Sequence, residues 1–131
     1  MDELLLDQFR GCILGSAIGD ALGMATEWTS ERTEIPYVEN YRAGHLPAGS
    51  YTDDTQQTLI LAESLLQNGG YRQEPYIDAL IAGTDPRRGL GPSLHRFLLA
   101  HIRQETMDQD TPVPSNGLAM KIAPASLFFP R

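Results

Sequence analysis

The sequence has a single cysteine, Cys12, so neither a disulfide framework nor a cysteine-rich zinc site is open to it. A reducing, cytoplasmic setting is therefore expected. Basic residues are also scarce: ten lysines and arginines face 17 acids, for a formal charge of −7. A surface of that sign repels phosphate backbones and anionic membranes, which removes nucleic acid from the expected partners. The longest apolar stretch, GCILGSAIGDALGMA, is about 15 residues and carries Asp20, too short and too charged to cross a bilayer. The opening MDELLLDQFRG is acidic and lacks a small-residue cleavage site, unlike a secretory signal. Alternating strand patterns, internal repeats and low-complexity runs are missing. So are the signatures of a serine or cysteine nucleophile and of the glycine-rich phosphate loops.

What remains is a chain of 131 residues, 41% hydrophobic and 21% charged, the composition of one globular domain. Helical spacing runs over residues 4–26, 54–67 and 91–104, with a shorter stretch at 76–83 after Pro75. In the 91–104 helix Leu94, Phe97, Leu98 and either His101 or Ile102 are expected to face inward. Residues 29–50 and 105–115 read as loops, and NGLAMKIAPASLFF resumes an apolar pattern. The expected fold is all-α, a compact multi-helix domain.

Glycine is placed oddly. Gly11, Gly15, Gly19 and Gly23 recur every four residues inside the first helix, forming a slowly rotating stripe on one side. Each costs about 1 kcal/mol relative to alanine. Something is expected to approach that stripe, either a neighbouring helix or a ligand lying on bare backbone.

The segment YTDDTQQTLI places Thr52, Asp53 and Asp54 where the second helix begins. Capping accounts for one acid, since a hydroxyl or carboxylate accepts from orphan amides and negative charge suits the positive helix end. The adjacent pair is harder. Two charges about 4–6 Å apart repel by several kcal/mol when partly buried, against about 1 kcal/mol returned by the dipole. A bound cation would settle the balance, and these hard oxygens suit Mg²⁺, Mn²⁺ or Ca²⁺. Capping and metal binding both remain open. Asp20 and Glu27 are seven positions apart, about 10 Å along a continuing helix, and border the glycine stripe. Ser115, Asn116 and Gly117 form a turn that starts the last helix, with Ser115 or Asn116 as its cap. Such an end also offers amides to a phosphate or a ribose hydroxyl. His45, His95 and His101 show no ligand-like grouping.

Taken in order and spacing, GCILGSAIGDALGMATEW, YTDDTQQTLILAESLL, RRGLGPSL and SNGLAMKIAP resemble the ADP-ribosylglycohydrolase family, which includes the dinitrogenase-reductase-activating glycohydrolases. The resemblance covers nearly the whole chain and only the N-terminal portion of the longer family members. It implies that Thr52, Asp53 and Asp54 ligate a two-metal centre of Mg²⁺ or Mn²⁺, with ADP-ribose against it. It implies a catalytic role for Glu27 on the substrate side and a supporting role for Asp20. Ser115, Asn116 and Gly117 match the family's Gly-Asn-Gly stretch, whose backbone contacts the ribose and phosphates. Ser115 replaces its first glycine, and Lys121 stands where arginine is usual.

The function so implied is metal-dependent hydrolysis of the glycosidic bond between ADP-ribose and a protein side chain or small acceptor. The alternative is a non-catalytic relative serving as a helical binding or structural module. The family's second acidic element, an Asp-x-Asp-Thr run near the C-terminus, has no counterpart after the Asn-Gly element. Asp108, Asp110 and Thr111 share that spelling, but they precede the Asn-Gly element and are read as loop. Half of the ligand set is therefore expected to come from elsewhere, from a C-terminal segment or through self-association.

Overall fold

The computed structural model describes residues 3–24, 46–47, 49–106 and 116–129. These residues form five helices and no strand: α1 (Glu3–Gly23), α2 (Asp53–Asn68), α3 (Gln73–Gly83), α4 (Pro92–Arg103) and α5 (Ile122–Phe128). Two 3₁₀ turns, Pro86–Arg88 and Ala119–Lys121, precede α4 and α5. The all-α expectation holds. Most of the expected 29–50 and 105–115 loops lies outside the described residues.

Helix α2 is the hub, packing against α1, α3, α5 and the Ala119–Lys121 turn. Its buried residues explain that position. Ile60 and Leu65 supply apolar surface, while Thr55, Gln57, Thr58 and Ser64 are polar residues buried toward its neighbours. Gly69 ends it in a left-handed conformation, with the Gly70 amide reaching back to the Leu65 carbonyl, as the NGG signal predicts.

The α3 helix begins three residues earlier than expected. Pro75 falls in its first turn, where the missing N–H would have had no partner in any case. Ile60, Leu80 and Leu98 form the core centre, with Tyr76, Ala79, Leu90, Leu94 and Phe97 packed around them. In α4 the inward expectation holds for Leu94, Phe97 and Leu98 but fails at the end of the helix. Ile102 is 64% exposed, and the exposed His101 stacks on Phe97 at 6.3 Å.

Of the two partners anticipated for the α1 glycines, no neighbouring helix meets them among the described residues, while Gly19 and Gly23 border an open cleft. A Cβ on Gly83 would lie 3.2 Å from Ile60 Cδ1, so α3 meets α2 at that glycine. Around Gly11, Gly15, Gly19 and Gly23 no described atom comes within 4 Å of such a Cβ. Helix α1 buries no residue fully, and Leu14 and Ile18 are 61% and 59% exposed. Apolar helices of this kind normally sit inside a larger core. No described helix is long and apolar enough to cross a membrane.

Candidate functional site

The α2 N-terminus is capped from a distance. Thr52 occupies the N-cap position, yet its side chain makes no capping hydrogen bond. Asp20 of α1 does that work. Its Oδ2 accepts from the Thr52 amide at 2.8 Å, the Thr55 amide at 3.1 Å and the Thr55 hydroxyl at 2.6 Å. The Thr52 hydroxyl donates to Asp20 Oδ1. With that proton committed, the Thr52 oxygen has only lone pairs to offer elsewhere.

The N-cap position of α2 is therefore served by Asp20, and Asp53 and Asp54 follow it in the first turn. Both are half-buried in the first turn and line an open cleft of about 990 Å³, at the upper end for small-molecule sites. The cleft is walled on one side by Gly19, Asp20 and Gly23 and on another by Tyr76, Leu80, Leu90 and Phe97. Asn116, Gly117 and Lys121 border it as well.

The loop before α4 is clamped against these acids. Gln56 accepts from the Asp85 amide at 2.9 Å, and Arg88 lies 3.8 Å over the Tyr51 ring while donating to the Tyr51 carbonyl at 3.0 Å. The loop then turns at Gly89, whose φ of 96° favours glycine. A Cβ there would stand 3.3 Å from Asp53 Oδ1. Burial pushes the Asp53 carboxyl above its ordinary value, opposed by hydrogen bonds from the Gly91 amide and from its own backbone amide and raised further by the charge of Asp20. Burial likewise pushes the Lys121 ammonium down, against the pull of Asp53 and Asp54.

The chemistry of the donor set fits a hard divalent cation, because Mg²⁺ typically takes one or two protein carboxylates and keeps waters or substrate phosphates for the rest. Among the described residues no group of three or more His, Cys, Asp and Glu gathers to enclose an ion. Glu27, Ser115 and the Asp108–Thr111 run lie outside the described residues. Asn116 does not cap with its side chain. Its backbone carbonyl accepts from the Ala119 amide at 2.8 Å, so the segment enters as a turn, and α5 begins only at Ile122.

The profile of the family described as ADP-ribosylglycohydrolase matches residues 1–131. The chain belongs to that family. It is 34% identical to an uncharacterized protein of Archaeoglobus fulgidus over 94% of its own length and 43% of that protein's. It is 31% identical to the ADP-ribosylarginine hydrolase Tri1 of Pseudomonas putida, over 96% of this chain and 37% of the relative. To the ADP-ribosylhydrolase ARH3 of Xenopus tropicalis it is 28% identical, over 96% and 41%. The chain thus spans roughly two fifths of the length of the curated relatives it matches. No solved structure gives a significant match.

Sequence reasoning passed over Gln57, Tyr76, Gly89 and Gly91 as site residues. Gln57 had a legible signal, a polar residue one turn after Asp53. The two glycines flanking Leu90 also marked a special backbone, but not which carboxylate would lie against it.

Proposed function

We propose that the chain takes part in metal-dependent removal of ADP-ribose from a protein side chain or a small acceptor. The observation that carries this is that Asp20 caps α2 while Asp53 and Asp54 line a cleft shared with Asn116 and Gly117. Thr52, Asp53 and Asp54 would hold Mg²⁺ or Mn²⁺. When bound, such ions orient ribose hydroxyls and a water, and stabilise charge developing at the anomeric carbon.

The chain's own residues divide the remaining work. Asp20 fixes the helix start that presents the acids. The turn at Asn116 and Gly117, with Ser115 before it in sequence, offers backbone amides to phosphates and ribose. Tyr76, Leu80 and Phe97 supply an apolar wall for the flatter parts of the nucleotide. Glu27 acts at the substrate, activating water or polarising the scissile bond. The remaining metal ligands come from further polypeptide, and the exposed apolar stripe of α1 offers it a surface.

A second reading, a non-catalytic helical module, is favoured by the lack of an enclosing acid cluster among the described residues. One assay separates the two. Arginine-linked and serine-linked ADP-ribosyl peptides are incubated with the chain in Mg²⁺ or Mn²⁺, and free ADP-ribose is followed. Release that disappears in EDTA and in Asp53→Asn and Asp54→Asn supports hydrolysis. ADP-ribose binding without release from either peptide supports the module.

A further inference from the structure

The buried Gln57 side chain, 2% exposed, lies between a cation and an acid of the cleft. Its Oε1 accepts from Lys121 Nζ at 2.8 Å, and its Nε2 donates to Asp53 Oδ2 at 3.2 Å. An ammonium has three donors and no acceptor, so only the carbonyl end of the amide can face it. The amide nitrogen is then turned toward the carboxylate. Lys121 thus dictates which way Gln57 points.

We propose that Lys121 is a positioning residue that acts through Gln57 to fix the Asp53 carboxylate; this rests on the assignment of Asp53 to the functional site. The arrangement is rigid at each end. The Thr58 hydroxyl lies 2.8 Å from both the Met120 and Asp54 carbonyls, sharing its one proton between them, and so ties the turn that carries Lys121 to α2. Beyond Gln57, the Gly91 amide also donates to the carboxylate, and Gly89 lies so close that a Cβ there would stand 3.3 Å from Asp53 Oδ1. Gln57 and Asp53 are four residues apart on α2, so the amide reaches its partner along one helix face.

Removing the ammonium leaves the Gln57 carbonyl buried without its donor. Water cannot easily replace it at this depth. The amide then loses its reason to prefer one orientation, and the flipped form sets a carbonyl oxygen against the carboxylate. The Asp53 oxygens lose a defined direction although every atom of Asp53 is still present. This goes beyond simple charge balance, because substitution of Gln57 breaks the connection while leaving the Lys121 charge in place.

The test uses the full 131-residue chain, labelled with ¹³C and ¹⁵N and examined by NMR at neutral pH without metal or substrate. In Lys121→Met the Gln57 side-chain amide is expected to exchange with water at least about tenfold faster, as for one lost charge-assisted hydrogen bond. The Asp53 carboxyl carbon resonance moves in the same sample. Lys121→Arg, which restores a donor, returns both signals toward the wild type. Gln57→Met moves the Asp53 resonance with Lys121 intact, and this pair of variants decides the matter should Lys121→Met fail to fold. Wild-type signals in a folded Lys121→Met, or an unmoved Asp53 resonance in Gln57→Met, would overturn the proposal. Since neither readout requires turnover, a chain that releases no ADP-ribose still tests it.

Discussion

The Asp20 carboxylate accepts the Thr52 amide at 2.8 Å although the two residues are 32 positions apart. The start of α2 is therefore held by α1 rather than by its own cap. Asp20→Ala leaves two amides and two hydroxyls without their acceptor, and an expected loss of about 2–4 kcal/mol follows. Urea unfolding measures it. Asp7→Ala, which removes an exposed partner of Arg10, serves as the control and is expected to change stability by under about 0.5 kcal/mol. Equal effects of the two substitutions would contradict the capping role.

Gly89 combines a positive φ with contact to the Asp53 carboxylate. Gly89→Ala is expected to destabilise the fold by about 1–2 kcal/mol and to weaken ADP-ribose binding by displacing Asp53. Gly91→Ala meets open space at an ordinary φ of −58° and is expected to stay within about 1 kcal/mol of the wild type. Thermal unfolding of both variants and calorimetric titration with ADP-ribose in Mn²⁺ supply the comparison. A Gly89→Ala protein as stable and as avid as Gly91→Ala would refute the crowding argument.

Burial in the cleft wall, with a smaller contribution from Tyr71, pushes the Tyr76 phenol from its ordinary 10.0 up to about 12. The neutral form is the one favoured by folding. Its contribution to stability is therefore complete below the unfolded value and is lost as pH rises from about 10 toward about 12. The difference in phenolate absorbance between the wild type and Tyr76→Phe is expected to appear near the upper value while helical circular dichroism persists. A phenolate ionising at the ordinary value in the intact fold would contradict the burial of this ring.

Leu14 and Ile18 lie outward on α1 beside Gly11 and Gly15. A helix that leaves Leu4, Leu14 and Ile18 exposed is expected to attract further polypeptide. At high concentration the chain should self-associate, and Leu14→Glu with Ile18→Glu should reduce that association without loss of helix. Sedimentation velocity across a dilution series reads both. A monomer at every concentration, unchanged by the double substitution, would count against this surface.

Much of the fold was legible because it depends on local periodicity. The apolar spacing in LAESLL and the NGG stop gave α2 within a residue at each end. Pro75 misled because a proline looks the same before a helix as inside its first turn. The glycine stripe was visible as a pattern, but its partner is not among the described contacts, whereas Gly83, a lone glycine without a pattern, makes the close approach. At the site, TDD stood out by charge alone. What the sequence could not show was the long-range pairing: that Asp20 would take over the capping of α2, or that Lys121 would reach Gln57 across 64 positions. Such contacts follow from how helices are stacked, and spacing along the chain does not encode them directly.

On the proposed reading Asp53 and Asp54 hold a cation at the cleft, while Asp20 serves as the cap of α2. Substoichiometric Mn²⁺ added to the ¹⁵N-labelled chain tests it most directly, because the paramagnetic ion broadens only nearby amide signals. Broadening is expected first at residues 52–57 and 89–91, and it should disappear in both Asp53→Asn and Asp54→Asn. Broadening spread evenly over surface acids such as Glu3 and Asp7, or left unchanged by the two substitutions, would contradict the account.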